Sequence, residues 1–158
     1  MKFIALLILI STITCPIAQA KSGLPVPRFV SLRSAQINVR VGPGKDYPIE
    51  WVYMRANLPV EIIAEFENWR KIKDIEGAEG WVHQSMLTGN RHALVQKSIQ
   101  NLKDQPRNDG QVIALIEPDV MVRVQKCQGE WCRVQVDTHK GWLPKEALWG
   151  VYPQETIN

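Results

Sequence analysis

The sequence predicts an all-β protein built from two tandem copies of one small barrel-type domain. Three observations predict it. A tryptophan signature occurs twice, as Trp69 followed by Gly80-Trp81 and as Trp131 followed by Gly141-Trp142, at offsets of 62 and 61 residues. Short segments rich in Val, Ile and aromatic residues are bounded by Gly, Pro or Asn at the spacing of small barrels. Beyond the N-terminal leader, no stretch carries the apolar periodicity of an amphipathic helix. A repeat of this length holds one small β domain and exceeds most solenoid units.

Sliding the chain on itself gives the extent of the duplication. At an offset of 63, Asn38 meets Asn101, Pro43 meets Pro106 and Asp46 meets Asp109; at 62, Leu58, Val60 and Ile62 meet Val120, Val122 and Val124. One deletion in the second copy then brings Gly80, Trp81, Val82 and Leu87 onto Gly141, Trp142, Leu143 and Leu148. The first domain is expected at residues 29–90 and the second at 91–152, the latter with a short C-terminal tail. A copy of this size is marginal for an independent core, so packing between copies adds stability. The short join at Gly89-Asn90-Arg91 favours a rigid pair over two units on a flexible linker.

Residues 1–20 stand apart. Lys2 supplies a positive start, Phe3 to Ile13 is almost wholly apolar, and Ala18-Gln19-Ala20 has the small-x-small pattern at which a secretory leader is cut. The apolar run is too short to span a bilayer, and Thr14 before Cys15 is a poor context for lipid attachment. The expectation is a signal peptide cleaved after Ala20, a periplasmic or secreted protein, and no integral membrane segment in the mature chain. The formal charge of +3 falls by one once Lys2 leaves, which gives no argument for nucleic acid as a partner. Residues 29–90 carry seven basic and eight acidic side chains and residues 91–152 nine and seven, so the second copy is the more basic.

In the first copy, strands are expected at Ile37-Arg40, Ile49-Met54, Val60-Phe66, Trp69-Ile75 and Glu79-Val82. Val41 to Pro48, with Gly42, Pro43, Gly44, Asp46 and Pro48, reads as an irregular loop between the first two. Ser85-Met86-Leu87 reads as one turn of tight helix.

With Cys15 removed, Cys127 and Cys132 are the only thiols, an even count that suits an oxidising compartment. The residues between them include Gly129 and fit a hairpin end that sets the sulfurs opposite each other. One repeat earlier the same positions hold Glu65 and Arg70, an opposite-charge pair suited to a facing cross-strand position. The alternation of Val120, Val122 and Val124 leaves Cys127 out of phase, which a bulge at Gln125 or Lys126 corrects. A structural disulfide is expected. A redox pair or metal site competes, but His139 is alone and the two-residue spacing of thioredoxin-like or zinc motifs is missing. No metal site and no cofactor are expected.

Asn38-Val39-Arg40-Val41-Gly42-Pro43-Gly44 with Tyr47-Pro48, then Trp69, then Gly80-Trp81-Val82, resembles the bacterial SH3 domain, in which an N-[VL]-R-x-G-P-[GS] opening precedes a G-W closing strand. The second copy departs from that opening at Asn101-Leu102-Lys103-Asp104-Gln105-Pro106, while Trp131 and Gly141-Trp142-Leu143-Pro144 keep the closing half. The mature chain is similar to small exported tandem SH3-domain proteins of Gram-negative bacteria. The resemblance implies two SH3-like five-stranded barrels in the periplasm, from a family whose other modules recognise cell-wall peptides or help place wall hydrolases.

Eukaryotic SH3 domains hold polyproline segments in an aromatic-lined groove, and Trp142-Leu143-Pro144 resembles their G-Y-[IV]-P element; His83 stands at that Pro in the first copy. By this resemblance Trp69 and Trp131 align with the groove tryptophan and are the first candidates for ligand contact, although a place in the core is equally open to them. An indole offers a peptide or sugar a broad apolar face and one N–H donor. Tyr47, Trp51 and Tyr53 are further candidates for the same region. Trp81 and Trp142 are expected in the core, and Trp149 and Tyr152 are expected to pack the tail onto the second barrel or to extend a binding face.

Catalysis finds little support. His83, His92 and His139 are scattered, and Gly42-Pro43-Gly44 lacks the following helix that phosphate binding requires. Glu65 and Glu67 read as solvated edge charges. The expected function is a non-catalytic periplasmic binding module for a peptidoglycan peptide or an envelope protein segment. A structural or regulatory subunit docked on a cell-wall enzyme is the alternative from another class, and a small cell-wall hydrolase comes last.

Overall fold

A computed structural model describes residues 22–158, so the expected leader at residues 1–20 lies outside the described residues. The first copy forms β1 (Arg28–Leu32), β2 (Ile37–Arg40), β3 (Ile49–Tyr53), β4 (Pro59–Phe66), β5 (Trp69–Lys73), β6 (Glu79–His83) and β7 (Leu87–Thr88). The second forms β8 (His92–Val95), β9 (Gln100–Lys103), β10 (Val112–Ile116), β11 (Met121–Gln128), β12 (Trp131–Val136), β13 (His139–Pro144) and β14 (Leu148–Trp149). The sheet orders, β3-β2-β6-β5-β4-β1-β7 and β10-β9-β13-β12-β11-β8-β14, are the same order shifted by one copy. The protein is thus all-β, with two tandem SH3-like units. The five expected strands of the first copy are β2 to β6, and β1 and β7 complete its sheet. A 3-10 turn leads into the last strand of each copy, Gln84–Met86 into β7 and Lys145–Ala147 into β14.

Period-two alternation decides which side chains enter each core. On β2, Ile37 and Val39 are buried while Asn38 and Arg40 face out; on β5, Arg70 and Ile72 face in and Trp69, Lys71 and Lys73 face out. Leu32, Val39, Val60, Ile62, Ile72, Val82 and Leu87 fill the first core. Their repeat partners Val95, Leu102, Val122, Val124, Val134, Leu143 and Leu148 fill the second.

The Gly-Trp signature has a steric cause. A Cβ on Gly80 would sit 2.3 Å from Val39 Cγ1, and one on Gly141 would sit 2.7 Å from Leu102 Cγ, so only glycine lets β2 close on β6 and β9 on β13. With Gly80 and Val82 taking the inward positions, the pleat turns Trp81 outward, and Trp142 likewise. Both are half-buried on the outer face, which corrects the expectation that they belong to the core.

The β4–β5 and β11–β12 hairpins carry the same irregularity. Their registers shift between Ile62 and Ala64 and between Val124 and Lys126, so the bulge expected near Gln125 is present and has a twin at Ile63. Beyond it Glu65 faces Arg70 and Cys127 faces Cys132. The cysteines are bonded across a Cα separation of 4.1 Å, with both residues fully buried. In the first copy the Glu65 carboxylate is buried instead, 2.6 Å from Arg28 Nη2 and 3.3 Å from Arg70 Nε. The expectation of a solvated edge charge at Glu65 is therefore corrected: the bulge turns its side chain beneath Arg28 and the Ser22 segment, whose N–H and hydroxyl both donate to it.

The two copies pack on each other. Phe29 of β1 stacks edge-on against Trp149 at 5.1 Å and lies 4.7 Å from the Tyr152 ring. The Tyr152 hydroxyl donates to Glu61 at 2.7 Å, and the His92 N–H donates to Ser31 Oγ at 3.1 Å. Trp149 and Tyr152 thus reach across to the first copy. The β14 backbone pairs with β8 of its own sheet, and this edge position leaves the Trp149 side chain free to meet Phe29.

Candidate functional site

Outward positions of β2, β5 and β6 converge on one open cleft of about 350 Å³ in the first copy. Gln36, Asn38 and Arg40 line one wall; Trp69, His83 and Met86 line the other, and Lys45 hangs over it from the Val41–Pro48 loop. Trp69 and His83 are direct cross-strand partners whose rings meet edge to face at 5.6 Å. His83 Nδ1 accepts from the Ser85 N–H at 3.3 Å and lies 2.7 Å from the Ser85 hydroxyl, which fixes the ring against the 3-10 turn. No lining residue is acidic. The cleft therefore combines one indole, two cations and two side-chain amides, groups whose chemistry suits carboxylates and peptide groups.

The loop carrying Lys45 is braced from within. Arg40 Nη1 donates to the Tyr47 carbonyl at 2.6 Å, and the Tyr47 ring lies on Gly42, where a Cβ would fall 2.3 Å from a ring carbon. Gly42 in the opening motif is thus required by the close approach of Tyr47. Arg40 ties loop and cleft wall together.

Of the five aromatic residues singled out in the sequence, only Trp69 lines this cleft. Trp51 and Tyr53 sit at alternate positions of β3 and pack on the first core, their rings 6.1 Å apart. The Tyr53 hydroxyl donates to Asp74 Oδ2 at 2.8 Å. Burial, then the Asp74 carboxylate, push its pKa well above the ordinary 10.0. Tyr47 supports the loop. The expectation that these three share a surface with Trp69 is corrected by the pleat of β3, which directs Trp51 and Tyr53 inward. Trp131 occupies the equivalent place in the second copy, opposite Pro144, with Lys103 Nζ 5.9 Å from its ring centre. Asn38, Lys45 and Met86 were not singled out, although the alternation of Ile37 and Val39 already assigns Asn38 and Arg40 to one exposed face.

Both described thiols are consumed by the disulfide. The histidines occupy separate places: His83 in the cleft, His92 at the contact between copies and His139 exposed at the start of β13. Among the described residues, no three His, Cys, Asp or Glu side chains are grouped to hold a metal ion, and no helix is long and apolar enough to cross a membrane.

The fold defines a class, a tandem of two small SH3-like β domains. Residues 33–89 and 96–150 each match the bacterial SH3 domain, and the chain belongs to that family. Comparison with curated proteins finds no match. Among solved structures, the chain is similar to NlpC2 from Trichomonas vaginalis, with 12% identity and a TM-score of 0.38 over 82% of this chain and 50% of that one. It is also similar to NlpC1 from Trichomonas vaginalis, with 13% identity and a TM-score of 0.35 over 85% of this chain and 50% of that one. The chain spans half the length of each.

Proposed function

We propose that this protein is a non-catalytic binding module acting outside the cytoplasm, and that its first barrel recognises a peptide bearing free carboxylates, such as a peptidoglycan stem peptide. The observation that carries the reading is the cleft in which Trp69 and His83 stand beside Arg40 and Lys45 with no acidic residue in the lining. Trp69 supplies apolar contact at low entropic cost, Lys45 and Arg40 supply attraction for carboxylates, and Asn38 and Gln36 pair with peptide groups. Belonging to the bacterial SH3 family supports binding over chemistry, and the bonded cysteines leave no described thiol as a nucleophile.

The test is co-sedimentation of the purified protein with insoluble peptidoglycan. Binding is expected, and Trp69→Ala is expected to weaken it about tenfold or more, as loss of an aromatic anchor does, while the unfolding midpoint shows that the variant is folded. Equal sedimentation of Lys45→Ala, Trp69→Ala and the unaltered protein would overturn the reading. Failure to sediment, with one envelope protein co-purifying instead, would replace it by a docking subunit.

A further inference from the structure

The outer faces of the two barrels have the same geometry and opposite electrostatic design. In the first copy the β5 lysines of this face are neutralised, Lys71 by Glu79 at 2.7 Å and Lys73 by Glu61 at 3.1 Å, and only Arg40, the counterpart of Lys103, lacks a carboxylate partner among the described residues. The strand registers identify the counterparts without ambiguity. Lys71 faces Trp81, and Arg133 faces Trp142; Lys73 faces Glu79 and Glu61, and Gln135 faces Lys140 and Arg123. Both acids of the first copy have therefore become bases in the second. Ala64, opposite Lys71, has become Lys126, opposite Arg133.

The result is a continuous basic face. Lys126, Arg133, Trp142 and Lys103 form one row, each residue the cross-strand partner of the next on β11, β12, β13 and β9. Lys126 Nζ lies 5.4 Å from the Trp142 ring centre. Arg123 and Lys140 flank the row on either side of Gln135. No outward position of these four strands is acidic, and among the described residues none of the five bases has a carboxylate within ion-pair distance. Five unneutralised charges on one small sheet repel one another, so the arrangement costs stability unless an anion covers it.

We infer that this face of the second barrel docks a short acidic peptide segment of a partner protein, a surface separate from the Trp69 cleft. The size of the row favours that occupant. Four adjacent strands place its ends roughly 14 Å apart, the length of about four residues of extended chain. Glu130 and Asp137 in the turns and Asp104 just beyond β9 bound the patch with negative charge. A long polyanion or an anionic bilayer would run onto those residues, whereas a short acidic cluster stays within them. Trp142 is half-buried with an ammonium against its ring, which suits contact with a charged chain better than insertion into lipid.

The experiment measures fluorescence anisotropy of a labelled peptide carrying six consecutive glutamates, at low and moderate salt, with the purified full protein. Its glutamine counterpart, a single-stranded oligonucleotide and phosphatidylglycerol vesicles are the other arms. The glutamate peptide is expected to bind and the glutamine peptide not to. Arg123→Glu with Lys140→Glu, which installs the first copy's residues at two exposed sites, should weaken binding about tenfold or more. The same pair should raise the unfolding midpoint or leave it in place, since it relieves the like-charge repulsion, and should leave the peptidoglycan assay unchanged; Trp69→Ala should leave glutamate-peptide binding unchanged. No saturable binding, equal binding by the charge-reversed protein, or stronger binding to the oligonucleotide or vesicles would each overturn the inference.

Discussion

Replacing Arg70 by methionine removes the centre of the one buried charge cluster in the first hairpin. Its Nε lies 3.3 Å from the Glu65 carboxylate, Nη1 donates to the Glu67 and Trp69 carbonyls, and Nη2 donates to Gln84 Oε1 at 2.7 Å. Breaking a buried ion pair from one side costs about 3–5 kcal/mol, because the remaining charge is left uncompensated. Glu65 keeps Arg28 and the two Ser22 donors, so the lower end applies, about 3 kcal/mol for Arg70→Met. Urea unfolding followed by tryptophan fluorescence reads this directly. The pH dependence has a defined sign. Burial alone would raise the Glu65 pKa, but the Ser22 amide and hydroxyl, then Arg28 and Arg70, outweigh it and hold the carboxyl below its ordinary 4.5. The cluster's stabilisation is therefore complete above about pH 4.5 and is lost as pH falls below that through the depressed folded value. Glu65→Gln should abolish this part of the acid sensitivity. The second copy solves the same contact with a disulfide, so Glu65→Cys combined with Arg70→Cys should be more stable oxidised than reduced, by roughly 2 kcal/mol for so short a loop. A loss below about 1 kcal/mol in Arg70→Met would show that the cluster is worth no more than an exposed ion pair.

Three further outcomes follow from the packing. Cys127→Ala with Cys132→Ala should lower stability by about 2 kcal/mol and leave peptidoglycan sedimentation intact; loss of sedimentation would place the hairpin in the binding surface. Phe29→Ala, which empties a site only 8% exposed between Trp149 and Tyr152, should cost about 3 kcal/mol or more and split thermal unfolding into two transitions as the copies uncouple. A single unshifted transition would mean that the copies do not stabilise each other. In alkaline spectrophotometric titration, Tyr53 and Tyr152 should ionise well above pH 10, because burial and then Asp74 or Glu61 disfavour their phenolates. Ionisation of all three tyrosines near pH 10 would contradict both hydrogen bonds.

The duplication was legible because it lies in residues whose identity is dictated sterically. Gly80 and Gly141 admit no side chain, and the apolar alternation through Ile37, Val39, Ile62 and Ile72 is the core itself. Even the bulge at Gln125 was visible, since a disulfide partner out of phase with its own strand demands one. What period-two reasoning misjudged was direction. An indole in mid-strand reads as core, yet Trp81 and Trp142 face out because the glycine before each, rather than the tryptophan, occupies the crowded inner position. Trp149 and the tail do pack on the second barrel, as the sequence suggests, but the contact of the Trp149 and Tyr152 rings with Phe29 is made across the join and has no local signal. The buried Glu65 was hidden because its burial depends on Ser22 and Arg28, residues about forty positions away in the chain. The cleft was half-legible: Trp69 came from motif resemblance, while Lys45 needed the loop conformation set by Arg40 and Tyr47.

Recognition by the Trp69 cleft is tested most directly by the indole N–H region of a proton–nitrogen correlation spectrum, in which the six tryptophans give separate signals. Titration with a soluble stem peptide should move the Trp69 resonance first and furthest, leave Trp142 and Trp149 in place, and lose saturation in Lys45→Ala. If Trp69 stays still while another indole shifts, or if no indole responds at millimolar peptide, the cleft is not the binding site.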